Sequence, residues 1–129
     1  MSSIISKITE GGTLKQTVAD RYENQIYLTD ERWTHIVNTH PEMDSHRNNL
    51  LLTLQTGRRK QEPLDPSKYK YYKRFDFDKL NPADILETGY NHIVVVVKFS
   101  EKVEKDTTNR ISNNFVLTAY QTFIFSRSF

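Results

Sequence analysis

Over roughly the first half of the chain, the apolar positions predict one short strand followed by two helices. The stretch "QIYLT" (25–29) alternates between apolar and polar residues, as a half-buried strand does. Trp33, Ile36 and Val37 then recur at helical spacing and form the apolar face of a first helix. A second helix is predicted over about residues 44–56, where leucines recur at the same spacing.

In the second half of the chain, the apolar positions change from a helical period to alternation. Gly57 is placed to stop the second helix. Segments rich in aromatic and β-branched residues then predict strands at 69–77, 92–99 and 113–125, and a fourth strand is predicted near residues 58–63. Helices followed by consecutive strands indicate an α+β domain, in which N-terminal helices pack on a four-stranded antiparallel meander sheet.

Composition indicates a single globular domain over residues 1–129, with residues 1–22 as a loosely docked N-terminal arm. Hydrophobic residues make up 36% of the chain and charged residues 26%, as in soluble proteins. The longest apolar run, "IVVVV" (93–97), is far shorter than the roughly 20 residues of a membrane span, so no membrane partner is expected. The polar segments 78–91 and 100–112 predict surface loops.

Cysteine usage and the N-terminal residues predict a cytoplasmic protein. The chain has no cysteine, which excludes disulfides and thiolate metal sites and suits a reducing compartment. The N-terminal stretch "MSSIISKITEGG" has neither a basic start nor a sustained apolar segment, so a signal peptide is not expected.

Two of the four histidines, His35 and His40, follow each other on the first predicted helix, beside the only tryptophan. His35 lies about 200° from Trp33 around the helix axis, whereas His40 continues the buried face at the last turn or just beyond it. A spacing of five residues does not let one helix present both imidazoles to one metal ion, so neither a metal site nor a cofactor is expected. Each histidine is either an acid–base group or an ordinary residue, solvated at His35 and capping the helix at His40.

Cations interleaved with tyrosines cover residues 58–74 and indicate a nucleic-acid partner. Cations pair with phosphates, and aromatic rings stack on bases. The alternative is an exposed strand whose lysines keep it soluble and whose tyrosines pack on one face. The residues predicted to contact RNA are Arg58, Arg59, Lys60, Lys70, Tyr72 and Lys73.

Alternation along the predicted strands places cations and hydroxyl groups on common faces. Lys98 stands at the end of an apolar row. Thr118 and Tyr120 share one face of the last strand, and Tyr72 shares a face with Arg74. Such a sheet suits a phosphodiester, because cations stabilise the charge that develops around phosphorus and hydroxyls orient the ribose. The alternative is the ordinary solvent face of an antiparallel sheet.

Taken together, the motifs resemble a known group of nucleases. The segment "LTDERWTHIVNTHPEM" (28–43), followed by "YYKRF" (71–75), "HIVVVVKF" (92–99) and "FVLTAYQT" (115–122), is similar to small toxins of the Barnase–EndoU–Colicin–RelE (BECR) superfamily of ribonucleases. The "W-x-H-I-x-x-x-H-P-E" pattern is the most specific part. The "T-A-Y" element falls on the last strand, where that family has a Thr/Ser-x-Tyr pair. The resemblance implies helices on a four-stranded antiparallel sheet.

For function, the resemblance implies endoribonuclease cleavage of RNA without a metal ion. A base removes the proton of the 2′-hydroxyl, the oxygen attacks the adjacent phosphorus, and an acid protonates the departing 5′-oxygen. The product carries a 2′,3′-cyclic phosphate. The residues implied are His40 or His35 as the acid–base group, Lys98 or Arg74 as the cation at the phosphate, and Thr118 with Tyr120 for positioning the substrate.

The resemblance also implies a protein partner. Many members look like toxins of toxin–antitoxin pairs that a small protein holds inactive. A small acidic antitoxin that covers residues 58–74 would be a suitable inhibitor. The alternative function is a non-catalytic module that binds RNA or a partner through the same sheet, and a third is a structural domain whose polar sheet face is solvated.

Overall fold

The computed structural model describes residues 6–10, 13–75 and 91–124, and its strands outnumber its helices. The elements in chain order are β1 (Ser6–Glu10), β2 (Thr13–Ala19), β3 (Gln25–Thr29), α1 (Asp30–Thr39), a 3-10 turn (Pro41–Met43), α2 (Arg47–Thr56), β4 (Arg58–Glu62), β5 (Asp65–Arg74), β6 (His92–Lys98), β7 (Glu101–Val103), β8 (Arg110–Ser112) and β9 (Asn114–Thr122). None of the helices in these ranges is long and apolar enough to span a membrane.

Seven of the strands form one mixed sheet in the order β1-β2-β3-β9-β6-β5-β4. Neighbouring strands are antiparallel except β3 and β9, which run parallel over two residue pairs, Ile26 with Asn114 and Tyr27 with Phe115. β7 and β8 pair only with each other, as a separate two-stranded sheet. The strand β9 therefore joins the N-terminal strands to the strands that follow the helices.

The predicted architecture, N-terminal helices on a four-stranded antiparallel meander sheet, is wrong. Three strands precede the helices, and the main sheet is mixed. The strands β1 and β2, "SKITE" and "TLKQTVA", contain mostly polar residues, so no apolar alternation identifies them in the sequence. The parallel pairing of β3 with β9 joins segments far apart in the chain, which local patterns do not report.

Both helices pack on one face of the sheet, and the hydrophobic core lies between them. Alternate residues of the central strands point to this side, as the pleat of a strand requires. The sheet contributes Val18, Ile26, Leu28, Tyr71, Ile93, Val95, Val97, Val116 and Ala119 to the core. The helices and the 3-10 turn contribute Ile36, Met43, Leu50, Leu51 and Leu54.

The residues between these core positions lie on the outer face, which points away from the helices. The strand register aligns them in rows across β5, β6 and β9. A bulge beside Val96 and Val97 of β6 resets the alternation of β9, so that Thr118 and Tyr120 stay on the outer face. The rows are Arg74–His92–Thr122, Tyr72–Val94–Tyr120, Lys70–Val96–Thr118 and Lys68–Lys98–Phe115.

Of the two predicted surface loops, only the segment 100–112 lies wholly within the described residues. Most of the segment 78–91 lies outside the described residues. The segment 100–112 contains the β7–β8 hairpin, in which Glu101 pairs with Ser112 and Val103 with Arg110. Most of its residues are exposed, which explains why its composition resembles that of a loop.

Candidate functional site

A groove runs between α1 and the edge of β9. It arises because β3 pairs with β9 only through Ile26 and Tyr27. Beyond Tyr27, β3 is paired with β2 alone, and α1 begins at Asp30. Thr29 caps the helix, since its hydroxyl oxygen accepts a hydrogen bond of 3.0 Å from the backbone N–H of Arg32. The helix passes Phe115 at its first turns and reaches Tyr120 at its end. We call this space the α1–β9 groove.

His40 occupies the end of the α1–β9 groove. It caps the C-terminus of α1, where its backbone N–H donates to the Ile36 carbonyl at 2.7 Å, and Pro41 prevents the helix from continuing. Its imidazole is half-buried, and the ring centre lies 5.7 Å from that of Tyr120. Nδ1 of His40 lies 3.7 Å from Oε2 of Glu42. The imidazole is thus set beside both a phenol and a carboxylate.

Hydrogen bonds between Glu42 and Gln121 join the His40 end of the groove to β9. The backbone N–H of Gln121 donates to Oε2 of Glu42 at 3.3 Å, and Nε2 of Gln121 donates to the Glu42 carbonyl at 2.6 Å. Gln121 is buried and neighbours Tyr120 on β9, so these two hydrogen bonds fix the position of His40 relative to that tyrosine. Sequence reasoning missed both residues, although Glu42 stands within the "HPE" motif.

His35 lies elsewhere in the groove. It is exposed and lines a cleft of about 420 Å³ together with Tyr27, Arg32 and Phe115. The structure therefore separates the two candidate histidines by environment. His40 contacts Tyr120, whereas His35 faces an aromatic and polar cleft nearer the start of α1.

Lys98 is held in a polar cluster at the other end of β6. Its Nζ donates to the Ser67 hydroxyl at 2.6 Å and lies 3.6 Å from Oδ2 of Asp65. The hydrogen bond from Ser67 lowers the pKa of the Asp65 carboxyl, and the charge of Lys98 lowers it further. Because Lys98 follows Val94, the cross-strand neighbour of Tyr120, by four residues, it lies about 13 Å along the strand from that row.

A second cleft, of about 310 Å³, opens where α2 ends against β4 and β5. Among the described residues, its lining contains four cations and no carboxylate, and we call it the basic cleft. Arg58 and Arg74 are both exposed there, and neither forms an ion pair within the described part of the chain. The lining residues are Arg21, Thr56, Gly57, Arg58, Tyr72, Lys73, Arg74 and His92.

His92, in the same cleft, is nearly buried in the outer-face row between Arg74 and Thr122. Burial lowers the pKa of its imidazole below the ordinary value, and the positive charge of Arg74 lowers it further. Nδ1 lies 2.7 Å from Oδ1 of Asn91, which also accepts from the backbone N–H of Ile124, so Nδ1 donates in that contact. The positive charge of the cleft therefore comes from its arginines and lysine.

The structure divides the six predicted RNA-contacting residues between the two faces of the sheet. Tyr72 and Arg58 are cross-strand neighbours on the outer face, as are Lys60 and Lys70, and Lys70 lies 3.6 Å from the Glu62 carboxylate. The strand positions of the other two residues, Lys73 and Arg59, belong to the face of the sheet that packs against the helices. Lys73 is opposite a buried isoleucine of β6, although it lines the basic cleft, and Arg59 is opposite the buried Tyr71.

Arg59 is engaged in the protein interior. Its guanidinium lies 4.3 Å from the ring centres of both Tyr22 and Tyr69, donates to the Tyr71 hydroxyl at 3.3 Å and lies 3.9 Å from Oδ2 of Asp20. These contacts leave Arg59 a structural cation, since its charge is already balanced by a buried carboxylate.

Neither possible metal ligands nor comparison with known proteins helps to assign the function of this site. In residues 6–10, 13–75 and 91–124, no three His, Cys, Asp or Glu side chains are grouped so that they could hold a metal ion. Comparisons with protein-family models, with curated proteins and with solved structures found no match. The function is therefore inferred from the geometry of the groove and the basic cleft.

Proposed function

We propose that the protein is a metal-independent endoribonuclease that cleaves RNA by attack of a ribose 2′-hydroxyl on the adjacent phosphorus. The observation on which this proposal depends is the setting of His40, between the phenol of Tyr120 and the carboxylate of Glu42 at the edge of a cation-bearing sheet. The resemblance of the "W-x-H-I-x-x-x-H-P-E" and "T-A-Y" motifs to BECR ribonucleases supports the same chemistry.

In this proposal His40 is the acid–base group. The carboxylate of Glu42 near Nδ1 favours the tautomer that carries its proton there, which leaves Nε2 to exchange a proton with the substrate. Histidine suits this task because its pKa lies near neutrality. The 2′-oxygen forms a bond to phosphorus as its proton leaves, and the bond from phosphorus to the 5′-oxygen breaks as that oxygen gains a proton. The products are a 2′,3′-cyclic phosphate and a 5′-hydroxyl.

The outer face supplies substrate binding. Tyr72 and Tyr120 stand in one row with Val94 between them, which separates their strands by about 10 Å. Arg58 pairs with Tyr72 across β4 and β5, and Arg74 follows Tyr72 on the same face. An RNA strand that lies across this row meets cations for its phosphates and a ring for a base. Of the two implied phosphate cations, Arg74 is the one with no competing ion pair in the described chain.

The proposed partner is an acidic antitoxin, and the proposed compartment is the cytoplasm, where RNA is available. The basic cleft offers the antitoxin a positively charged surface, because its described lining residues include four cations and no carboxylate. Opposite charge across an interface speeds association and excludes wrong partners. A protein that covers Arg58 and Arg74 would also cover the path of the RNA.

The alternative function is binding of RNA without cleavage. The position of Lys98 favours this alternative, because Ser67 and Asp65 hold its ammonium group far from the Tyr120 row. The ion pair and the ring contact of the His40 side chain are with Glu42 and Tyr120, neither of which is a cation. A binding module would show salt-dependent affinity for RNA and would release no cyclic phosphate.

The decisive experiment is a cleavage assay with purified protein and total RNA in EDTA, in which 2′,3′-cyclic phosphate ends are measured. We expect cleavage by the wild type and a loss of at least about 100-fold with His40→Ala, because removal of an acid–base group has an effect of this order. Asn38→Ala, an exposed change on the same helix, serves as the control and should cleave normally.

Three results would contradict the proposal or its site. Absence of cyclic phosphate with the wild type, together with retained RNA binding, would leave the binding module as the function. Cleavage that survives His40→Ala but is lost in His35→Ala would move the acid–base role to His35. Cleavage that depends on an added metal ion would exclude the proposed mechanism.

A further inference from the structure

We infer that the cleft at the first turns of α1 is a nucleobase pocket that selects guanine in the RNA substrate. This inference rests on the proposed function and names a specificity site for it. The pocket uses His35 to contact a base, and none of its residues is among the six predicted above to contact RNA. It is lined by Tyr27, Thr29, Glu31, Arg32, His35, Phe115 and Val116.

The cleft has the size and lining of a small-molecule site. Its volume of about 420 Å³ lies within the range of roughly 300–1,000 Å³ that such sites occupy. Tyr27 and Phe115 are cross-strand neighbours on β3 and β9, and their ring centres are 6.0 Å apart at a tilt of 38°. Single-stranded RNA is recognised by stacking of its bases on such rings.

Three polar side chains of the cleft, those of Glu31, Arg32 and His35, have no bonded partner in the described part of the chain. Glu31 and His35 are exposed and Arg32 is half-buried. No hydrogen bond or ion pair within the described chain engages any of these three side chains. They all project from the first six residues of α1, which Thr29 holds in place by capping the helix. The fold thus presents one carboxylate, one guanidinium and one imidazole that have no partner in the described chain.

This combination of groups matches guanine better than the other bases. Guanine offers two acceptors, O6 and N7, on one edge, and a guanidinium can donate to both. Its N1–H and its exocyclic amine are donors for a carboxylate, which only accepts. Uracil has no exocyclic amine, and adenine has no carbonyl oxygen for the guanidinium. Cytosine has both, but its ring nitrogen N3 is an acceptor, so it offers the carboxylate one donor group where guanine offers two. The roles assigned are base acceptor for Glu31, base donor for Arg32 and flanking contact for His35.

The position of the cleft fits a substrate that is cleaved at His40. His35 and His40 are five residues apart on one helix, which corresponds to about 7.5 Å along its axis. Both lie in the α1–β9 groove, where β9 runs from Phe115 at the cleft to Tyr120 at His40. A base in the cleft and a phosphate at His40 can therefore belong to one RNA strand that runs along the groove.

Binding of uncleavable RNA tests the pocket without relying on catalysis. The probes are fluorescein-labelled 2′-O-methyl hexanucleotides of uridine, with or without a single guanine or adenine, whose blocked 2′-oxygen cannot attack phosphorus. We expect fluorescence anisotropy to show about tenfold tighter binding of the guanine probe than of the other two. Glu31→Gln should reduce this preference below threefold and leave binding of the uridine probe unchanged.

Asp106→Asn is the matched control, because it removes the same charge at an exposed turn with φ of 63°, a conformation that Asn tolerates. It should keep the full preference for guanine. Equal affinity of the wild type for all three probes, or no binding of any probe, would overturn the pocket. So would a preference that survives both Glu31→Gln and Arg32→Gln.

The same variants separate this inference from the proposed function. Cleavage that requires His40 but shows no preference for guanine would overturn the pocket and leave the nuclease intact. A preference for guanine that depends on Glu31, in a protein that produces no cyclic phosphate, would support the pocket and contradict the nuclease.

Discussion

Arg58 and Arg59 are neighbours in the chain, yet the pleat of β4 gives them opposite surroundings. Arg58 is exposed on the outer face, whereas Arg59 lies among tyrosine rings beside the buried carboxylate of Asp20. The side-chain oxygens of Asp20 also accept from the backbone N–H groups of Tyr22 and Asn24 and from the Tyr71 hydroxyl. The sequence shows that both arginines are basic, but it does not show that the buried carboxylate of Asp20 balances the charge of Arg59.

At this scale, Tyr71→Phe tests the buried cluster. Burial raises the pKa of the Tyr71 hydroxyl above its ordinary value, and the hydrogen bond to Asp20 raises it further, so the group stays protonated and donates. Phenylalanine leaves the Asp20 carboxylate short of one donor. We expect the free energy of unfolding to fall by about 1–3 kcal/mol, measured by urea denaturation.

Tyr22→Phe removes a hydroxyl of the same kind from a ring that is 39% exposed, and it keeps the ring over Arg59. It should change the free energy of unfolding by less than about 0.5 kcal/mol. If both variants lost the same free energy of unfolding, the hydrogen bond from Tyr71 to Asp20 would contribute no more to stability than the exposed hydroxyl of Tyr22.

The individual elements could be predicted wherever apolar periodicity is strong. The predicted positions of α1, β5, β6 and β9 agree with the structure to within a few residues, because their buried faces recur regularly. The helix α2 begins at Arg47, later than the predicted residue 44, since the 3-10 turn and Ser45, with φ of 73°, intervene. The strands β7 and β8 were missed, because Val103 and Ile111 stand alone among polar residues.

At the element scale, Gly57→Ala tests the junction of α2 with the sheet. The backbone φ of Gly57 is −73°, so its conformation suits any residue, and the constraint is space. A Cβ at this position would lie 2.5 Å from the Thr53 carbonyl oxygen and 2.7 Å from that of Tyr72, both backbone atoms. We expect a loss of about 1–3 kcal/mol in the free energy of unfolding, measured by thermal denaturation.

Asn48→Ala on the exposed side of α2 is the control for this prediction. It should be neutral or slightly stabilising, because alanine has the higher helix propensity. If Gly57→Ala were equally stable, the contact between the end of α2 and β5 would be looser than the distances indicate.

For the whole molecule, the position of charge matters more than its sum, since the formal net charge is only +2. The concentration of cations in residues 58–74 could be read from the sequence. The sequence did not decide between His40 and His35, because their surroundings depend on where β9 lies beside α1. Glu42, Gln121 and the basic cleft likewise come from segments that only the tertiary fold brings together.

At this scale, the salt dependence of RNA binding tests the basic cleft. Each cation that neutralises a phosphate contributes about 0.7 to the slope of log affinity against log salt for a single strand. We expect Arg58→Gln and Arg74→Gln each to reduce the slope by about that amount, measured with the 2′-O-methyl probes. Arg110→Gln, on the separate β7–β8 hairpin and paired with Glu101 at 3.3 Å, should leave the slope unchanged.

The central place of β9 in the sheet has a consequence for synthesis of the protein. While the ribosome extends the chain, β1–β3 and β4–β6 emerge first, but they share no strand until β9 follows them. The same late strand brings Tyr120 to His40 and Phe115 to the groove. Under the proposed function, a nascent chain therefore has no assembled nuclease site. If the proposed function holds, the RNA of the translating ribosome is safe from the new chain until residue 122 has left the exit tunnel.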